Sequence, residues 1–65
     1  MLVLSVSNTD DQPLYSLSRA GQRICAVTDE DAIRFLLLGF GVEEPSPLML
    51  AAQRWGIVEI IEDRQ

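Results

Sequence analysis

The chain has 65 residues, 48% hydrophobic and 23% charged, a composition typical of one small globular domain spanning 1–65. One cysteine and the lack of histidine and lysine exclude an intrachain disulfide, a Ser–His or Cys–His catalytic pair and a lysine Schiff base. Ten acidic against five basic side chains give a net charge of −5, which argues against direct binding to nucleic acid or an anionic membrane.

Three strands are predicted in the first half of the chain. Leu2, Leu4 and Val6 alternate with Val3 and serines, the period-2 pattern of a half-buried strand. The turn formers and β-formers that follow predict a loop over 8–13, a strand over 14–19, a turn at Ala20-Gly21 and a strand over 22–27.

The turn length decides how the second and third strands pair. A turn of two or four residues pairs Leu17 with Ile24. The same register pairs Tyr15 with Ala26, so that four apolar side chains share one face. A three-residue loop would place Arg23 on that face instead, and we favour the first register. It leaves three apolar residues on the opposite face: Leu14, Cys25 and Val27.

The first predicted helix begins at an N-cap, Thr28 or Asp29, and has three acids in its first turn. It should run to about Leu38 and stop at Gly39 or Gly41. Its inward stripe contains four residues: Ile33, Leu36, Leu37 and Phe40.

The second predicted helix has Ser46 as N-cap, Pro47 at the first helical position and Gly56 as its end. Its predicted inward residues are Leu48, Ala51, Ala52 and Trp55. The β-branched run 57–62 then predicts a fourth strand, apolar on both faces. The order βββααβ indicates an α+β domain: a four-stranded antiparallel sheet, two helices on one face and the last strand at an edge.

No combination of residues predicts catalysis, a cofactor or a metal site. The adjacent acids Asp10-Asp11 and Glu43-Glu44 are formal magnesium ligands, but adjacent loop acids are more often solvated. Cys25 is expected to be a packed or half-exposed, unreactive side chain in a strand.

Two features predict a binding surface. The acids fall in groups: Asp10 and Asp11; Asp29, Glu30 and Asp31; Glu43 and Glu44; Glu59, Glu62 and Asp63. Four apolar residues lie off the inward stripes of the helices: Phe35, Leu38, Met49 and Leu50. The acids indicate either an ordinary solvated surface or one that competes with phosphates for a basic groove, and the apolar residues indicate a homodimer or a protein partner.

The whole-chain profile resembles small phage-encoded anti-CRISPR proteins in its length, grouped acids, missing lysine and histidine, and lack of catalytic chemistry. The resemblance implies an inhibitor that blocks a nucleic-acid-binding complex as an acidic DNA mimic. The alternative is a small adaptor or antitoxin-like module that acts through homodimerisation or an apolar interface. Residues 1–7 lack a signal-peptide pattern and the apolar run 35–38 is too short to span a bilayer, so a cytoplasmic location is expected.

Overall fold

Six elements follow one another in the predicted order βββααβ. They are β1 (Leu2–Thr9), β2 (Gln12–Arg19), β3 (Gln22–Val27), α1 (Glu30–Gly39), α2 (Pro45–Trp55) and β4 (Ile57–Ile60). The computed structural model describes residues 1–9 and 11–61. The strands form one sheet in the order β3-β2-β1-β4, in which every neighbouring pair is antiparallel. The predicted α+β architecture is confirmed.

The core lies between the sheet and the two helices. Alternate residues of the strands supply one side: Leu2, Leu4, Tyr15, Leu17 and Ile60. The helices supply the other: Ile33, Leu37, Met49 and Ala52. Because both helices contribute to the same cluster, they cover the same face of the sheet, as predicted. The opposite face, here called the open face, carries no helix in the described part of the chain.

The β1–β2 hairpin is longer than the sequence predicted. The run 8–13 was expected to be a loop, but Asn8 pairs with Pro13 and the ladder extends to the pair Thr9–Gln12. Only two residues connect the strands, and Asp11 adopts a positive φ of 67°, as tight hairpins require. Proline has no backbone N–H to donate. Pro13 is tolerated because β3 pairs with β2 only from Tyr15 onward, so no residue of β3 requires a hydrogen bond from position 13.

A β-bulge in β3 corrects the predicted register. The turn has two residues as expected, with positive φ at Ala20 and Gly21. However, Leu17 pairs with Cys25, not Ile24, because the pairing shifts by one residue between Leu17 and Ser18. Because of the extra residue, every later side chain of β3 lies on the face of the sheet opposite to the one predicted.

The bulge also changes which apolar side chains reach the core. Tyr15 pairs with Val27, not with Ala26. Cys25 and Val27 therefore pack against the core, although they were predicted on the opposite face. Ile24 is instead 42% exposed.

α1 matches its prediction closely. Asp29 is the N-cap, and its side chain accepts a hydrogen bond from the Asp31 N–H at 3.0 Å. Ile33 and Leu37 are buried, and Leu36 and Phe40 pack against them. The helix ends at Gly39.

α2 is rotated relative to its prediction. It begins at Pro45 with Glu44 as the N-cap position, two residues before the predicted start, and Glu44 makes no capping bond. Met49 was predicted to point away from the core but is only 4% exposed. Trp55 was predicted inward but is 69% exposed. The physical reason is that α2 packs over β4 and β1, and among residues 1–9 and 11–61 no strand lies beyond β4 to cover Trp55.

β4 pairs with β1 at the edge of the sheet, as predicted, but it ends at Ile60 rather than at residue 62. Its side chains alternate: Ile60 is buried, whereas Ile57 is 55% exposed on the open face. Neither α1 nor α2 is long and apolar enough to cross a membrane, and the described residues contain no other helix.

Candidate partner-binding surface

A buried tyrosine connects the sheet to both helices. Tyr15 of β2 is fully buried, and its hydroxyl donates a hydrogen bond to the Glu30 carboxylate of α1 at 3.4 Å. The same hydroxyl accepts a hydrogen bond from the Gln53 amide of α2. A buried tyrosine needs such partners, because an unpaired hydroxyl is costly in an apolar core. The sequence placed Tyr15 on the inward face but did not identify these partners, which lie far away in the chain.

Burial raises the pKa of the Tyr15 hydroxyl above its ordinary value near 10. The Glu30 carboxylate adds to the rise, since a second negative charge beside it is unfavourable, while the hydrogen bond from Gln53 opposes it. The hydroxyl therefore stays protonated at neutral pH and acts as a hydrogen-bond donor.

Two shallow grooves meet at Glu30 and Gln53. The first, of about 220 Å³, lies between the helices and is lined by Glu30, Arg34, Ser46, Met49, Leu50 and Gln53. The second, of about 330 Å³, extends toward the β1–β2 hairpin and is lined by Val6, Asn8, Pro13, Glu30 and Gln53. Typical small-molecule pockets hold roughly 300–1,000 Å³, so these grooves are at or below the lower end of that range. They are better suited to single side chains of a partner.

The three acids at the N-terminal end of α1, its N-cap and two residues of its first turn, all make contacts within the chain. Asp29 caps the helix, Glu30 accepts the hydrogen bond from Tyr15, and Asp31 forms an ion pair with Arg34 at 2.6 Å. These contacts fix the positions of the three side chains, although all three remain exposed to solvent. Arg34 offsets part of their charge.

Glu43 and Glu44 form a second acidic group at the opposite end of α1. The ten residues of α1, about 15 Å of helix, lie between the two groups along the chain. The contact between the Arg19 guanidinium and the Phe40 ring, 5.1 Å to the ring centroid, places this end of α1 beside the last residue of β2. Neither Glu43 nor Glu44 has a hydrogen-bonding or ion-pair partner among the described residues.

Large apolar side chains are exposed on both helices. Phe35 is 73% exposed, Leu38 45% and Leu50 65%, in agreement with the prediction that these three lie off the inward stripes of the helices. We call these three residues, with the acidic groups 29–31 and 43–44, the helix surface. Met49 is not part of it: its predicted place on an outward apolar surface is wrong, because it fills the space between α2 and the sheet.

Two of the remaining predicted acids, Asp11 and Glu59, lie outside the helix surface. Asp11 lies in the β1–β2 hairpin. Glu59 lies on β4, where it pairs with Val3 of β1 on the open face. Asp10, Glu62 and Asp63 lie outside the described residues. The predicted acidic groups 29–31 and 43–44 are thus the ones that flank α1.

The described residues contain no group of three or more His, Cys, Asp or Glu that could hold a metal ion. Cys25 is a free, partly buried thiol that packs against the core.

Comparisons of this chain with protein-family models, with curated proteins and with solved structures find no match.

Proposed function

We propose that this chain is a cytoplasmic binding protein without catalytic activity, which inhibits a nucleic-acid-binding protein by occupying its basic site. The observation that carries the proposal is the helix surface, which combines three exposed apolar side chains of α1 and α2 with acidic groups at either end of α1. A partner that fits it has an apolar patch flanked by arginines or lysines, the side chains that otherwise hold phosphate.

Apolar and acidic residues contribute differently to such an interface. Exposed large apolar side chains supply affinity when they become buried at the centre of an interface. The net charge of −5 attracts a basic partner over long range, and this attraction mainly accelerates association. An inhibitor that competes with DNA benefits from both effects.

The test uses Glu43→Gln together with Glu44→Gln, because these carboxylates have no hydrogen-bond or ion-pair partner in the described part of the chain. We expect the double variant to associate more slowly with a partner captured from a host lysate, with a smaller effect on dissociation. Surface plasmon resonance at two salt concentrations measures both rates, and duplex DNA added as a competitor should displace the protein.

A matched control distinguishes the effect of a carboxylate on the helix surface from the effect of net charge alone. Glu44→Gln and Asp11→Asn each remove one exposed carboxylate, but only Glu44 belongs to the helix surface. Equal slowing by both would mean that net charge alone acts. Unchanged rates in the double variant, with no competition by DNA, would contradict the proposal.

A second candidate function is a small adaptor or antitoxin-like module. Exposed apolar residues away from the helix surface favour it, notably Trp55 at 69% and Ile57 at 55% exposure. Association through these residues would be insensitive to salt and would survive loss of the acids at 43 and 44.

A further inference from the structure

Both outer strands of the sheet have a free edge in the described part of the chain. β3 forms one edge and β4 the other. An unpaired edge presents backbone N–H and C=O groups to any strand that approaches it. Because the Val6 N–H bonds the Gly56 carbonyl, the alternation of an antiparallel ladder directs the backbone groups of Ile57 and Glu59 toward the free edge.

The two edges carry opposite charges in the same cross-strand row. Arg23 of β3 pairs with Ser18, Ser18 with Val3, and Val3 with Glu59 of β4. Arg23 and Glu59 are both exposed, and neither has an ion-pair partner in the described part of the chain. One row of the sheet therefore ends in a guanidinium on one edge and in a carboxylate on the other.

The two neighbouring cross-strand rows also match at their ends, because each has an apolar side chain at both edges of the sheet. One row, through Leu17 and Leu4, runs from Cys25 to Val58 and has apolar side chains on the core face. The next row ends in Ala26 at one edge and Ile57 at the other, both on the open face. The bulge in β3 produces this match, because without it Cys25 and Ala26 would exchange faces.

The strand directions permit the two edges to meet. β1 is antiparallel to β2 and to β4, and β2 is antiparallel to β3, so β3 and β4 run in opposite directions. A second copy placed beside the first in the same orientation therefore continues the antiparallel pattern of the sheet.

We propose that two copies of this chain associate head to tail, with β4 of one copy pairing with β3 of the other and Glu59 facing Arg23. The exposed Trp55 fits this arrangement, because α2 packs over β4 and α1 over β3. In the joined sheet, α1 of the second copy lies beside the Trp55 end of α2. The contact is heterologous, so further copies add at the remaining edges.

Two-fold arrangements are disfavoured by charge. Pairing β4 with β4 brings Glu59 toward a second carboxylate, and pairing β3 with β3 brings two Arg23 side chains together. The head-to-tail contact alone places opposite charges together. The strand pairing itself uses no residue of the helix surface, and the self-association does not depend on the proposed inhibitor function.

The experiment reverses each charge separately. In sedimentation equilibrium, Arg23→Glu and Glu59→Arg should each weaken self-association about tenfold, since a favourable cross-strand pair becomes a repulsive one. An equimolar mixture of the two variants should associate again, because every contact between different variants pairs opposite charges. The double variant should also recover.

Two-fold contacts give a different pattern. If β4 pairs with β4, Arg23→Glu associates like the unmodified chain; if β3 pairs with β3, Glu59→Arg does. Either result overturns the head-to-tail proposal, as does an unmodified chain that stays monomeric at millimolar concentration. Circular dichroism checks the fold, and recovery of the mixture excludes simple unfolding of the single variants.

Discussion

At the residue scale, the hydroxyl of Tyr15 links the sheet to α1 through Glu30 and to α2 through Gln53. Its hydroxyl partners are 15 and 38 residues away, and no local signal identifies them. They depend on how the two helices lie over the sheet, which only the complete packing determines.

Replacing Tyr15 by Phe should destabilise the fold modestly and change how stability depends on pH. Loss of two hydrogen bonds should cost about 0.5–1.5 kcal/mol, because Glu30 and Gln53 are exposed enough to be rehydrated. Since the pKa of Tyr15 is raised in the folded chain, its contribution is complete below about pH 10 and is lost as the pH rises through the folded-state pKa.

Urea denaturation near pH 8 and above about pH 10 tests this expectation. The free energy of unfolding should fall more steeply with pH in the unmodified chain than in the Phe variant. Tyr15 is the only tyrosine, so ultraviolet absorbance of tyrosinate follows its titration directly. Identical slopes in both proteins would show that the Tyr15 proton is not coupled to folding.

At the element scale, the accuracy of prediction depended on whether the signal was local. α1 matched because an N-cap, a first turn of acids and an apolar stripe are all encoded within its own residues. The bulge in β3 has no comparable signature, since no glycine or proline marks Arg23 or Ile24. The bulge was therefore not predicted, and Cys25 and Val27 were assigned to the wrong face of the sheet.

The rotation of α2 is the second element that local reasoning missed. Leu48, Ala51, Ala52 and Trp55 form an apolar stripe as good as the observed one, so periodicity could not choose between them. The edge of the sheet decides: Trp55, which directly precedes the edge strand β4, stays exposed, whereas Met49 packs into the core between the sheet and the helices. Of the four apolar site residues predicted, three are exposed and Met49 is not.

Adjacent alanine substitutions in α2 test this rotation. Met49→Ala should cost about 2–5 kcal/mol, because it leaves a cavity in the core. Leu50→Ala, one residue later and 65% exposed, should change the free energy of unfolding by no more than about 0.5 kcal/mol. Chemical denaturation of both variants gives the comparison, and a larger loss for Leu50→Ala would mean that α2 is rotated the other way.

At the scale of the whole molecule, two surfaces serve two kinds of association. The helix surface combines apolar side chains with uncompensated carboxylates at residues 43 and 44. The sheet edges combine backbone groups with one charge of each sign, Arg23 and Glu59. The first surface suits a basic partner, and the second suits another copy of the same chain.

Added salt should therefore affect the two associations in opposite directions. Each copy carries a charge of −5, so two copies repel each other at long range while a basic partner is attracted. Raising the ionic strength from about 0.1 M to about 1 M shortens the Debye length from about 10 Å to about 3 Å and screens both effects. Self-association by sedimentation should strengthen or remain constant, since backbone pairing and apolar burial persist, whereas partner binding by plasmon resonance should weaken.

Removing the acids at 43 and 44, which reduces the net charge to −3, should flatten both salt dependences. If self-association instead weakened as steeply as partner binding, the Arg23–Glu59 pair alone would be holding the copies together.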